Sequence, residues 1–253
     1  MRNILRLMLL IPVFFTLLSF NVSGKEAVGK ISFYVGRVFV IPAGTTELAM
    51  ATFNKPLFAG DKIETKKESR CEITLATGDV IRVDANSLFT LEIVEMSGKS
   101  VKTESSLQQG KVWNNIKKIF TDEGSFKVKS PSAVIAVRGT IYRVDANPDS
   151  TTDVKVYDGE VAVTPYSPGM GQGAAPPQQP GVQKPQQVAP PQQVSGPQEV
   201  SVETWMEIVK AQQQILVRPN GTFQRSEFNL EEDAKSDWVQ WNLKRDQLLE
   251  EQR

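Results

Sequence analysis

A period-two alternation of apolar side chains runs through residues 126–163. In an extended chain successive side chains point to opposite faces of a sheet, so such pairs predict strands with one buried face. Asp158-Gly159 stands between two of these strands, where a tight hairpin turn requires a positive φ. The segment therefore predicts antiparallel strands built around an Arg138-Gly139-Thr140 corner. The alternating pairs are Phe126/Val128, Tyr142/Val144, Val154/Val156 and Val161/Val163.

Shorter elements precede this segment in a fixed order. They are Gly29-Lys30-Ile31, Gly36-Arg37-Val38, Leu57 to Thr65, the Thr77-Gly78-Asp79 turn, Asn86-Ser87-Leu88, and Leu107 to Val112. With the Arg-Gly-Thr corner, they resemble the extracytoplasmic domain of FecR-family proteins over most of residues 29 to 163. The resemblance implies a domain that binds the signalling portion of an outer-membrane transporter. FecR itself also carries a cytoplasmic sigma-regulating segment and a membrane span, and nothing here corresponds to either, which predicts a free-standing version.

Residues 1–24 have the pattern of an export signal. Arg2 and Arg6 give a positive start, an apolar run follows from 7 to 20, and Val22-Ser23-Gly24 offers small residues for cleavage. The apolar run is shorter than the roughly 20 residues that a membrane-spanning helix needs. We expect an exported, periplasmic or cell-envelope protein with no stable membrane span after cleavage. Retention of the segment as an anchor is the alternative.

Charge and residue usage exclude several kinds of function. The chain has 29 Lys and Arg against 29 Asp and Glu and no basic block, which argues against a nucleic-acid partner. It has no histidine and a single cysteine, so zinc sets and Cys/His catalytic pairs are absent. Most of the aspartates stand beside turn residues, where their side chains bind local backbone. We therefore predict no catalytic residue, metal ligand or cofactor, and no enzyme activity.

Residues 165–199 form a Pro/Gln-rich segment. Nine of the fifteen prolines lie here beside nine glutamines, a composition that cannot build a packed core and predicts a disordered insertion. It is interpreted either as a tolerated surface loop or as a spacer or docking strip for a partner. Strands predicted at Val200/Val202, Met206/Ile208 and Ile215/Val217, with a turn at 219–222, then continue the β domain of residues 25–164 through residues 200–228.

Residues 229–253 predict a C-terminal helix. Asn229 is a candidate N-cap, and three acidic residues follow in the first turn. A stripe at helical spacing contains Leu230, Ala234, Trp238, Trp241, Arg245 and Leu248. Similar segments close many exported FecR-like proteins, and the matching residues here are Trp238, Trp241, Asn242, Arg245 and Asp246. Two interpretations stay open: the stripe packs against the β domain, or the helix is an exposed docking element.

The candidate binding or structural residues are Arg138, Gly139, Thr140, Trp238, Trp241 and Arg245. Arg138 is interpreted either as a buried clamp on loop carbonyls or as a fork presented to an anionic ligand or an acidic partner. The alternation of Cys71, Ile73 and Leu75 predicts that Cys71 is buried.

The predicted fold class is mainly β: an antiparallel β-sandwich or jelly-roll-like domain with a C-terminal α-helix and a Pro/Gln-rich disordered insertion. The predicted function is non-enzymatic binding of an envelope protein, such as an outer-membrane transporter or signalling protein. The alternative is a glycan- or peptidoglycan-binding wall-associated module, in which tryptophans offer flat faces to sugar rings. The tryptophans are Trp113, Trp205, Trp238 and Trp241.

Overall fold

The computed structural model describes residues 26–97, 100–117, 125–166 and 206–251, with side chains 95–101 excepted. The predicted signal at 1–24, nearly all of the Pro/Gln-rich segment, the strand predicted at Val200/Val202, and Trp205 lie outside the described residues. No helix in the described ranges is long and apolar enough to cross a membrane.

The described chain is mainly β, as predicted, with 17 strands. They are β1 Gly29–Val35, β2 Val38–Ile41, β3 Ala49–Met50, β4 Pro56–Leu57, β5 Lys62–Thr65, β6 Arg70–Leu75, β7 Val80–Val83, β8 Leu88–Ser97, β9 Ser100–Asn115, β10 Ser125–Lys129, β11 Ala133–Val137, β12 Ile141–Ala146, β13 Thr152–Asp158, β14 Glu160–Pro165, β15 Glu207–Lys210, β16 Gln213–Val217 and β17 Phe223–Glu227.

The strands form two sheets that share β9. Sheet A has the order β4-β1-β6-β7-β9-β12-β13-β16-β17, and sheet B has the order β3-β2-β5-β8-β9-β10-β11-β14-β15. Antiparallel pairing was predicted and is found throughout, except that β9 and β10 run parallel. The hydrogen-bonded network is therefore continuous and mixed, and β9 is the strand that belongs to both sheets.

Gly110 marks the point at which β9 leaves one sheet for the other. The residues before it pair with β8 and β10, and from Gly110 onward they pair with β12 and then β7. Its φ is +92°, and a Cβ there would lie 2.0 Å from Ser87 Oγ. Only glycine fits that backbone conformation and that contact without strain.

One apolar core lies between the two sheets. Ile31 and Ile73 of sheet A and Ile63 and Leu91 of sheet B belong to the same buried cluster. Cys71 is buried in it as well, as the alternation with Ile73 predicted. Strand pairs with one apolar face thus explain how the alternating segments close a sandwich.

In the sequence, the Pro/Gln-rich segment separates two strands that are neighbours in sheet B. β14 ends at Pro165 and β15 begins at Glu207, and the two strands pair antiparallel, with Val163 opposite Glu207. β16 pairs with β13 in sheet A, and the turn with Gly221 at φ +81° leads into β17. β17, with its polar sequence, was not predicted.

The C-terminal segment is helical, as predicted, but it forms two helices instead of one. α1 spans Leu230–Asp233 and α2 spans Asp237–Glu251. Asn229 Oδ1 accepts hydrogen bonds from the backbone N–H groups of Glu231 and Glu232, as an N-cap does. The N–H groups of Lys235 and Ser236 donate to the carbonyls three residues earlier, those of Glu232 and Asp233, and these i→i−3 bonds end α1. α2 then begins at Asp237.

The buried face of α2 differs from the predicted stripe. Trp238, Val239, Asn242 and Asp246 are buried, whereas Leu248 is 46% exposed. The prediction for Leu248 was wrong because this helix meets a polar surface of sheet A, where an amide and a carboxylate fit better than an aliphatic side chain.

Candidate functional site

The Arg138-Gly139-Thr140 corner carries the chain from sheet B to sheet A. β11 ends at Val137 in sheet B, and β12 begins at Ile141 in sheet A. Gly139 has φ +66°, which turns the chain sharply. Thr140 Oγ1 donates to the carbonyl of Glu160 at 2.8 Å. The corner is therefore a crossing between the layers of the sandwich.

A second crossing touches the first at Gly159. β13 pairs with β12 and β16, whereas β14 pairs with β11 and β15, so Asp158-Gly159 does not close the predicted hairpin. Gly159 has the predicted positive φ, +82°, but a Cβ there would lie 2.9 Å from both the carbonyl oxygen of Gly139 and Thr140 Oγ1. The hairpin prediction was wrong because an Asp-Gly turn can join two strands of one sheet or two strands of different sheets. The strands that pair with β13 and β14, which are distant in sequence, determine which of the two forms.

A third crossing, from β15 to β16, is hydrogen-bonded to the second. The N–H of Ala211 donates to the carbonyl of Gly159 at 3.0 Å, and the N–H of Gln212 donates to that of Val156 at 2.9 Å. The three crossings stack at one end of the sandwich, which explains why two glycines face each other there.

Arg138 is exposed at the surface of this corner, while Gly139 and Thr140 are buried. The clamp interpretation assumed a buried guanidinium, and that burial is absent. Thr140 and the backbone contribute the hydrogen bonds given above.

A row of charged and aromatic side chains crosses the outer face of sheet A, beneath the helices. Its members are directly opposite one another on neighbouring strands, and we call them the charged row. They are Glu72 on β6, Arg82 on β7, Trp113 on β9, Arg143 on β12 and Lys155 on β13.

Asp246 of α2 binds the centre of the charged row. Its carboxylate accepts hydrogen bonds from Arg82 Nη1 at 2.7 Å, Trp113 Nε1 at 2.8 Å and Asn115 Nδ2 at 2.8 Å. Arg82 is fully buried and Asp246 is 5% exposed. A charge removed from water in this way requires such partners, so α2 and the sheet depend on each other here.

Glu72 joins the same helix to the edge of the row. Arg245 donates to both carboxylate oxygens, from Nε at 2.7 Å and from Nη2 at 2.8 Å, and Arg82 Nε donates at 2.7 Å. Burial acts to raise the pKa of Glu72, but the hydrogen bonds from Arg245 and Arg82 outweigh it and lower the pKa to about 2. Arg245 is thus a partner of the sheet.

Trp238 and Trp241 stack on each other, with ring centroids 5.4 Å apart and planes at 19°. Trp238 is buried against Trp113, and Trp241 is half-buried. The guanidinium of Arg70 lies 5.3 Å and 5.4 Å from the two ring centroids. Guanidinium groups and the neighbouring ring therefore occupy indole faces that a sugar ring would need.

Asp233 of α1 binds the other end of the charged row. It accepts hydrogen bonds from Lys155 Nζ at 2.7 Å and Tyr157 Oη at 2.6 Å, and from both terminal nitrogens of Arg143 at 3.2 Å and 3.3 Å. Although burial acts to raise the pKa of Asp233, the hydrogen bonds from Lys155 and Tyr157 lower it. α1 is only four residues long, and this carboxylate attaches it to sheet A.

The family comparison covers the central part of this arrangement. Residues 61–162 match the family model described as FecR protein. Residues 61–162 of this chain match a FecR domain. The predicted resemblance is confirmed for these residues, which include the Arg138-Gly139-Thr140 corner and every member of the charged row. Helices α1 and α2, with Asp233, Trp238 and Asp246, lie outside the match.

Comparisons with curated proteins and with solved structures give less information than the family match. No curated protein matches the chain. Two crystal structures of a candidate anti-sigma factor from Parabacteroides distasonis ATCC 8503, at 1.65 Å and 2.50 Å resolution, are similar at 16% sequence identity with a TM-score of 0.44. The similarity covers 67% of this chain and 61% of that chain, so this chain spans less than two thirds of its neighbour.

Sequence reasoning missed the residues of the FecR domain that receive the helix. Arg82 was the available signal, because a charged residue stands within the otherwise apolar strand Val80–Val83. In the described residues, no group of three or more His, Cys, Asp or Glu side chains could hold a metal ion. The charged row and its helical partners form a buried seam. The carboxylates of Glu72, Asp233 and Asp246 all accept hydrogen bonds in it, whereas Arg82 Nη2 and Arg143 Nε have no hydrogen-bond partner among the described residues.

Proposed function

We propose that this chain is an exported, non-enzymatic FecR-domain protein that binds a protein partner in the periplasm or cell envelope by adding a partner strand to β17. A FecR domain supports a regulatory or protein-interaction role. The single observation that carries the mode of binding is the position of β17 at the edge of sheet A, where no described strand pairs with its outer side.

β17 is the outermost strand of sheet A and all five of its residues are exposed. The strand pairs with β16 on one side, and no other described strand pairs with it. An edge strand presents a row of backbone donors and acceptors, which an extended peptide can pair with. Among the described edge strands, β3 and β4 have two residues each and β15 has four, so β17 offers the longest template.

The register identifies which backbone groups of β17 point outward. The N–H of Arg218 donates to the carbonyl of Thr222, and the N–H of Phe228 donates to that of Gln212. Because hydrogen-bonded pairs alternate in an antiparallel ladder, Gln224 and Ser226 turn their backbone groups toward β16. The N–H groups of Arg225 and Glu227 then face the free edge.

Polar side chains make this edge selective. Arg225 donates to Glu207 Oε2 at 3.3 Å, which ties β17 to the edge of sheet B. Charged residues on an edge discourage indiscriminate strand pairing. A partner strand must therefore offer backbone groups in register and tolerate charge beside them.

Site-specific photo-cross-linking in the full-length protein tests this function. A photoreactive residue at exposed Gln224 should join a discrete envelope protein. The same group at exposed Thr52, near the far edge of sheet B, should not. Equal yields at both positions, or none at Gln224 in a protein with normal circular dichroism, would contradict the proposal.

A further inference from the structure

Asp145 and Asp153 are directly opposite each other on β12 and β13. Side chains in that position have Cβ atoms about 5 Å apart, and like charges there repel. Asp145 Oδ1 lies 3.0 Å from Arg143 Nε. Asp153 Oδ1 is buried and, like Asp145 Oδ1, accepts no hydrogen bond from any described residue. A buried carboxylate oxygen without a donor favours the protonated form of its group.

The same carboxylates border the attachment of α1. Arg143 binds both Asp145 and Asp233, and Lys155, which also binds Asp233, lies two residues after Asp153 on the same strand. An ionised Asp153 would compete with Asp233 for these two cations. A neutral Asp153 leaves them to Asp233.

The groups that face Asp153 come from each neighbouring described element. β12 contributes Asp145 and Arg143, β13 contributes Lys155 and Tyr157, β9 contributes Lys111 opposite Asp145, and α1 contributes Asp233. From β16, the residue opposite Asp153 is the uncharged Leu216. Burial, and then the charge of Asp145, raise the pKa of Asp153 to about 6. Burial also raises the pKa of Asp145.

We propose that the Asp145–Asp153 pair is a proton-sensitive latch, which holds α1 on sheet A in mildly acidic conditions and loosens it near neutral pH. Asp153 gains its proton preferentially while α1 is docked, so docking weakens as pH rises through about 6. Asp233 must stay ionised, so docking also weakens when the pH falls through its lowered pKa. The latch needs no partner, and its failure would leave the proposed function untouched.

Hydrogen exchange of the full-length protein tests the latch. Protection factors of the Asp233 and Ala234 amides, which donate to the carbonyls of Asn229 and Leu230, should fall as the pH rises toward about 6. The fall should develop between the ordinary pKa of 3.8 and about 6, level off above that, and not exceed about 100-fold, the limit set by a pKa difference of about two units. Asp153→Asn should abolish this dependence, and Asp158→Asn, an exposed change on the same strand, should retain it.

Carboxyl carbon shifts of the unmutated protein give a second readout that does not depend on a variant folding. Asp153 should titrate near pH 6. Titration near its ordinary value, protection factors that do not change between about pH 5 and about pH 7.5, or an Asp153→Asn variant with the original pH dependence would overturn the latch.

Discussion

Trp113 on β9 and Asp246 on α2 are joined by a 2.8 Å hydrogen bond from the indole Nε1 to Asp246 Oδ2. The two residues are 133 positions apart in the sequence. The bond connects the FecR domain to a helix outside the matched residues. It belongs to a buried set in which the same carboxylate also binds Arg82, and the first predictions concern this set.

Replacing Asp246 by Ala should lower the free energy of unfolding by about 3–5 kcal/mol, because fully buried Arg82 loses a partner and remains charged. Urea denaturation followed by tryptophan fluorescence measures the change. Glu250→Ala, at an exposed position of the same helix, is the control and should change stability by less than about 0.5 kcal/mol. Equal stability of the two variants would contradict the buried ion pair.

Glu72 should make the fold sensitive to acid. Its pKa is lowered from 4.5 to about 2 in the folded state, so its contribution is present above about pH 4.5 and is lost as the pH falls toward 2. The contribution is at most about 3 kcal/mol, from 1.36 kcal/mol per pKa unit. Urea titrations at several pH values should show a steeper acid loss for the native sequence than for Glu72→Gln. Identical slopes would mean that Arg245 and Arg82 do not hold the carboxylate as described.

Gly159→Ala should destabilise the protein more than Gly44→Ala. Both residues have a positive φ, near +80°, which costs an L-residue about 1–2 kcal/mol. A Cβ at Gly44 meets nothing within 4 Å, whereas one at Gly159 meets the Gly139 carbonyl at 2.9 Å. Overpacking adds about 1–3 kcal/mol at Gly159 alone. Thermal unfolding measures the loss of stability in both variants, and the difference between the two losses is the cost of the steric conflict. Equal losses would contradict the contact between the two crossings.

Cys71 should resist thiol reagents in the folded protein. Its side chain is fully buried, and burial raises the pKa of the thiol, so the reactive thiolate is both inaccessible and rare. Labelling with a chromogenic disulfide should proceed at the rate of unfolding and become fast in denaturant. Rapid labelling under native conditions would show that the core opens around β6.

Alternation predicted the central strands because one face of each is buried in a single core. The same rule missed β9, whose first half is polar. Thr103 and Ser105 are buried there although both are polar, and β9 has hydrogen-bonded strands on both sides at these positions. A central strand with a polar sequence is therefore not detected by a search for alternating apolar residues.

The buried seam could not be predicted for a related reason. From the sequence alone, Asn242 and Asp246 have the pattern of the exposed face of an amphipathic helix. In the structure they face Arg82 and Trp113 of sheet A. Likewise, Asp158-Gly159 looks like a hairpin until β13 and β14 are assigned to different sheets. Local sequence predicts that a turn or helix exists, and distant partners determine what it faces.

Recognition of a partner by the β17 edge is the central claim, and a comparison of Arg225→Ala with Arg225→Pro tests it most directly. Both variants lose the exposed contact with Glu207, and only proline also removes the outward N–H. Capture of the partner cross-linked at Gln224 should persist with alanine and fall at least about tenfold with proline, at unchanged stability. Equal capture by the two variants would contradict strand addition at β17.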